Sequence, residues 1–142
     1  MKNTTVSDLR KIKFWQHSKN GVLSVFEGSN EDSVPFSIAR VFTISGVLIG
    51  GVKGNHAHRK CIQLVVCLIG SVTIEITDGR NKKEIVLNNS SIGLLIPAGL
   101  WNTIIFNQLE SVIAVFCDRI YEEDDYLRDP AEFLIYKGIL HA

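Results

Sequence analysis

The stretch from Gly50 to Gly70 constrains this chain more than any other. It reads Gly50, then His56-Ala57-His58, then Gln63, then Gly70. On an extended strand, side chains two residues apart leave the same face. His56 and His58 therefore share a face. The nearly all-apolar run Cys61 to Ile69 that follows predicts a strand covered on both sides, with Gln63, Val65 and Cys67 on one of them. A second block lies downstream: Gly93, then Pro97-Ala98-Gly99, then Trp101-Asn102.

The rest of the chain is punctuated as a β protein. Asp8 to Phe14 and Val22 to Glu27 predict two strands, with Lys19-Asn20-Gly21 as the tight turn between them. Gly28 to Pro35 is a polar loop. Phe36 to Ile44 alternates, placing Phe36, Ile38, Arg40, Phe42 and Ile44 on one face, with Arg40 a charge among apolar neighbours. Val72 to Thr77, Lys83 to Asn88, Ser91 to Ile96, Leu100 to Phe106 and Ser111 to Asp118 supply further strands, and Asp78-Gly79 is a hairpin turn. Asp129-Pro130 opens the one predicted helix, which runs to about Lys137 before Gly138.

With no internal repeat, the 142 residues predict one domain, 1–142. Fifteen basic residues balance fifteen acidic ones, which argues against a nucleic-acid partner. No apolar run approaches the ~20 residues of a membrane helix, and Met1 to Asp8 lacks the apolar centre of a signal peptide. The expected location is the cytoplasm. Cys61, Cys67 and Cys117 are expected to be buried, reduced thiols. His17 and His141 are expected in solvent. The acidic run Glu122-Glu123-Asp124-Asp125 is read as a solvated loop rather than a cation site.

The two blocks have the spacing of the two cupin motifs, a resemblance that implies His56, His58 and Gln63 inside a small antiparallel barrel. Gln63 stands where metal-binding cupins carry Glu, and Asn102 where they carry a third His. Two neutral amides make a poor metal set, so no metal and no cofactor is expected.

Within the cupins the chain resembles the WxcM-like or FdtA-type sugar 3,4-ketoisomerases. The resemblance rests on Pro35 to Val41, His56-Ala57-His58 with Gln63, Cys67 to Ser71, and Pro97 to Trp101. It continues in Tyr121 to Arg128 and Glu132-Phe133-Leu134. The Tyr121 block is not a general cupin feature and is the most discriminating. The resemblance implies an all-β, RmlC-like barrel or jelly roll with a short C-terminal helix. It implies an enzyme that moves the carbonyl of a dTDP-4-oxo-6-deoxyhexose from C4 to C3 through an enediolate, in deoxyamino-sugar biosynthesis. His56 becomes the base and His58 its partner or proton shuttle. Arg40, Gln63, Asn102 and Lys53 become substrate contacts. Trp101 is either a wall of the site or simply core. A homodimer exchanging strands 8–27 is also implied.

The chain departs from the family around the pocket. Phe42-Thr43 stands where a Tyr is frequent, Asn102 replaces a His, and Lys19-Asn20-Gly21 replaces an Arg-Gly turn. Gly54-Asn55 replaces an Arg-Gly pair, and Ile105 occupies a position that varies with product stereochemistry. A rival expectation is therefore a non-catalytic cupin that binds a nucleotide sugar. A metal-dependent cupin oxygenase is the third.

Overall fold

The computed structural model describes residues 2–142. Its strands are β1 (Arg10–Lys13), β2 (Gln16–His17), β3 (Leu23–Ser24), β4 (Arg40–Ile44), β5 (Val52–His58) and β6 (Gln63–Ile69). They continue as β7 (Val72–Thr77), β8 (Lys82–Leu87), β9 (Ile92–Ile96), β10 (Trp101–Phe106), β11 (Val112–Cys117) and β12 (Tyr126–Leu127). Helix α1 spans Pro130–Tyr136, capped by the Asp129 carboxylate on the Ala131 amide at 3.1 Å. One antiparallel sheet runs β1-β9-β6-β11-β4 and faces a second, β12-β5-β10-β7-β8.

Alternation builds the interior between these sheets. Val72, Ile74 and Ile76 of β7, Ile104 and Phe106 of β10, Val65 and Cys67 of β6, and Ile113 and Val115 of β11 meet in one buried cluster. Each fully buried aliphatic side chain contributes about 1.5–3 kcal/mol, so this end of the barrel is a packed floor, not a channel. The residues between them on β6 and β11 face outward yet are also buried. Leu64, Val66, Ala114 and Phe116 lie under Val34, Phe26, Phe36 and Ile38. That outer layer explains why β6 carries no polar alternation. On the other sheet, α1 covers Ala57, Trp101 and Leu127 with Phe133.

Three sequence expectations shift. Residues 6–8 form a 3₁₀ turn capped by Thr5, so the first strand starts at Arg10 rather than Asp8. The second N-terminal strand shrinks to Leu23–Ser24, because β2 and β3 pair only with each other. The alternation from Phe36 is real, but ladder pairing begins at Arg40, opposite Cys117. Ahead of it the chain lies across the outer face of the sheet, where Phe36 and Ile38 pack.

Candidate active site

The pair Gly54-Asn55 sets up the site. Register along β10 advances one residue, from Asn102 to Thr103, while β5 moves two, from His56 to Gly54. Asn55 is the extra residue of a β-bulge, with φ of 62°. Such a bulge bends the strand and re-aims the side chains beside it. Gly54 is required there: a Cβ would sit 2.8 Å from Asn102 Oδ1, and its φ is 77°. Beyond the bulge His56 and His58 leave the same face, their ring centroids 5.0 Å apart and nearly perpendicular.

Each ring has one nitrogen committed. His56 Nδ1 lies 3.1 Å from the Gly54 carbonyl. A carbonyl only accepts, so Nδ1 carries the hydrogen and Nε2 holds the lone pair. His58 Nδ1 lies 2.8 Å from Asp125 Oδ2, and its Nε2 is buried without a partner. Asp125 also accepts from the amides of Lys60 at 2.6 Å and Cys61 at 3.2 Å. Burial works against its charge, but the hydrogen bonds from His58 and those amides outweigh it and hold the carboxyl below its usual range. His58 shifts down as well, because burial outweighs the pull of Asp125. His58 is therefore a neutral, carboxylate-oriented imidazole with Nε2 available. Burial, then His58, then Arg128 push His56 down to about 4.

These shifts predict a pH dependence of stability. Between the ordinary histidine value of 6.5 and about 4, the unfolded chain binds a proton that folded His56 refuses. Stability present above pH 6.5 is lost as pH falls through that window, by at most about 3 kcal/mol. His58 adds loss of the same sign. Thermal melting from pH 7.5 to 4.5 checks this, with His56→Gln expected to flatten the curve. A wild-type melting temperature that holds constant to pH 4.5 would contradict the neutral pair.

The facing sheet supplies three more polar groups. Arg40, Cys117 and Gln63 lie side by side across β4, β11 and β6. Arg40 Nη2 and Gln63 Nε2 both point at Cys117 Sγ, at 3.6 and 3.7 Å. Hydrogen bonding from Cys61, then from Arg40 and Gln63, draws the Cys117 thiol down to about 6. Cys61, Cys67 and Cys117 are all buried free thiols, as expected, with burial raising Cys67, the neighbouring Cys117 raising Cys61, and Cys117 itself drawn down beside Arg40. Arg40 Nε is buried with no partner. Asn102, buried beside Gly54, comes from β10 opposite His56.

Two sequence candidates lie elsewhere. Trp101 neighbours Asn102 on one strand and so faces the opposite way. Its ring packs on Phe133 at 5.5 Å and its indole N–H donates to Asn55 Oδ1 at 3.3 Å. Its 8% exposure and the Phe133 contact fit the core reading, while its side chain also lines an outer cavity with Asn55, Pro130 and Phe133. Lys53 is exposed on β5, ahead of the bulge.

The acidic run needs correction. Glu122, Glu123 and Asp124 are exposed, but Asp125 is buried against His58. Strand β12 pairs Tyr126 with His58 on the edge of β5. The Tyr126 ring then lies 5.0 Å from that of His56 and 4.3 Å from that of His58. Arg128 stacks over Tyr126 at 4.1 Å and binds the Glu123 carboxylate through two nitrogens, at 2.8 and 3.0 Å. His58, Cys61 and Asp125 also bring three metal-type donors within 4.8 Å. Both Asp125 oxygens and His58 Nδ1 are already consumed by mutual and backbone hydrogen bonds, so the trio is an orienting network rather than a metal set.

The FdtA family, described as WxcM-like, C-terminal, matches residues 2–138 of this chain. The chain belongs to this family. A relative from Aneurinibacillus thermoaerophilus, TDP-4-oxo-6-deoxy-alpha-D-glucose-3,4-oxoisomerase, is 32% identical over 119 residues, 84% of each chain. QdtA, a sugar 3,4-ketoisomerase from Thermoanaerobacterium thermosaccharolyticum solved with TDP, superposes with a TM-score of 0.89 at 31% identity, covering 94% of this chain and 96% of its own. A 3,4-ketoisomerase from Helicobacter canadensis gives 0.87 at 32% identity, covering 92% and 98%.

Proposed function

We propose that this chain is a 3,4-ketoisomerase acting on a TDP-linked 4-oxo-6-deoxyhexose. The observation that carries the reading is the pair of neutral imidazoles, each with Nδ1 committed, His58 Nε2 without a partner, Asn102 paired opposite His56 and Arg40 within electrostatic reach of His58. His56 Nε2 takes the proton from sugar C3. The C3–H electrons form a C3–C4 double bond and the C4 carbonyl becomes an enediolate oxygen. His58 Nε2 moves the hydroxyl proton from the C3 oxygen to the C4 oxygen. C4 is then protonated as C3 becomes the carbonyl. Electrons balance within the sugar, so the chemistry calls on no redox partner. A neutral imidazole suits proton removal beside a ketone at neutral pH, and the Arg40 guanidinium and Gln63 amide are donors for the developing oxyanion.

Incubation with TDP-4-oxo-6-deoxyglucose, followed by NMR, tests the reading. A 3-oxo product is the expected result. Tight binding of the nucleotide sugar without turnover would favour the non-catalytic module instead, for which Phe42 and Asn102 are the motive.

We further propose a cytoplasmic homodimer built through the N-terminal strands. The β2–β3 hairpin pairs with neither main sheet and exposes Trp15, Val22 and Leu23 at 62%, 65% and 58%. The edge strand β4 leaves Val41 half exposed. Open edges and apolar tips of this kind invite pairing with a second copy. Light scattering is expected to give about twice the 15.8 kDa chain mass, and Trp15→Glu is expected to shift the protein toward monomer. A wild-type monomer throughout the micromolar range would defeat the dimer.

A further inference from the structure

We infer that Tyr126 is a catalytic residue, its phenol supplying the hydroxyl that Phe42 lacks. The inference rests on the ketoisomerase reading and extends it. Pairing of β12 with β5 puts Tyr126 opposite His58 and on its face. The ring contacts both imidazoles, at 5.0 and 4.3 Å between centroids. Its phenol reaches the Arg40 guanidinium, which also lies 5.7 Å from the Phe42 ring. Tyr126, Phe42 and Tyr121, whose ring lies 5.6 Å from it, thus approach one guanidinium, and the two tyrosines bring hydroxyls.

The other nearby phenol is already engaged. Tyr121 donates to the Glu123 carboxylate, which also holds Arg128. Tyr126 instead is clamped by its ring, under Arg128 at 4.1 Å and against the two histidines. That clamp fixes the hydroxyl without consuming it. Arg40 Nε and His58 Nε2 are buried polar atoms without partners, and the Tyr126 ring lies against the His58 ring. As His56 removes the C3 proton, charge accumulates on the C4 oxygen. The Tyr126 O–H donates a hydrogen bond to that oxygen, with Arg40 behind it holding the phenol in line. No proton is transferred in net, so the isomerisation stays balanced.

The test compares wild type with Tyr126→Phe, which keeps the ring and its stacking and removes one oxygen. Loss of one preorganised oxyanion donor lowers kcat by about 10²–10³-fold. KM, TDP affinity and melting temperature are expected to stay at wild-type values. Exchange of the C3 hydrogen in D₂O is expected to slow in parallel with turnover, because the donor acts on the first proton transfer. Active wild type beside an equally fast Tyr126→Phe overturns the assignment and leaves the ketoisomerase reading standing. Wild type showing neither turnover nor C3 exchange overturns both. A purely structural role for the residue would appear as a lowered melting temperature in Tyr126→Leu with Tyr126→Phe fully active, and this too overturns the assignment.

Discussion

Replacing His56 by Asn is expected to abolish most turnover while leaving fold and TDP binding intact. The amide retains polarity and approximate size at a half-buried position, and its NH₂ can still donate toward the Gly54 carbonyl. What it cannot supply is the Nε2 lone pair. A positioned general base contributes typically ~10²–10⁴-fold, and an Asn amide offers none. Because burial, His58 and Arg128 together hold His56 at about 4, the base is unprotonated throughout the neutral range. The acid limb of kcat/KM is therefore expected well below the ordinary histidine value. In D₂O the variant should show no exchange at C3 of the sugar. A folded His56→Asn protein that isomerises at near wild-type rate would remove His56 from the mechanism.

The second large effect is at Asp125. Its carboxylate accepts from His58 Nδ1 and from two backbone amides within one buried corner. Asp125→Ala leaves three donors without acceptors. Leaving a buried donor unsatisfied costs about 1–3 kcal/mol each, and several together approach a marginal protein's whole stability. Asp125→Asn is the finer instrument. The shortest contact is to the Lys60 amide, 2.6 Å, so the remaining oxygen stays there and the NH₂ turns toward His58. An N–H facing Nδ1 forces the hydrogen onto Nε2, the wrong nitrogen for shuttling a proton between the two sugar oxygens. Asp125→Asn is thus expected to fold, to bind TDP, and to lose at least ~10²-fold in kcat. Nitrogen chemical shifts of His58 report the tautomer directly. An Asn variant with unchanged shifts and unchanged kcat would show that Asp125 does not set the tautomer.

The barrel was legible because its information is local. Period-two alternation in Val72 to Thr77 and the spacing around His56-Ala57-His58 each specify a face without reference to distant residues. The same rule separates Trp101 from Asn102, since adjacent residues on one strand cannot both face the cavity. Asp125 was not legible for the converse reason. It reaches His58 across 67 positions through a two-residue strand, and three of the four carboxylates in its run do lie in solvent. The available signal was the block Tyr121 to Arg128, which matched the family while serving no role in a generic barrel. The grouping of Cys117 with Arg40 and Gln63 was not legible because the three come from three different strands.

The placement of β12 has a temporal consequence. Every strand of the two main sheets except β12 is complete by Cys117. The residues that orient His58 and cover the histidine pair all come after residue 120. A nascent chain can therefore collapse around its core with both imidazoles in place but with His58 free to adopt either tautomer. Chemical competence arrives only when the tail folds back onto the edge of β5, a contact of long sequence separation and thus slow to form. For this molecule, being folded and being active are separate events in time.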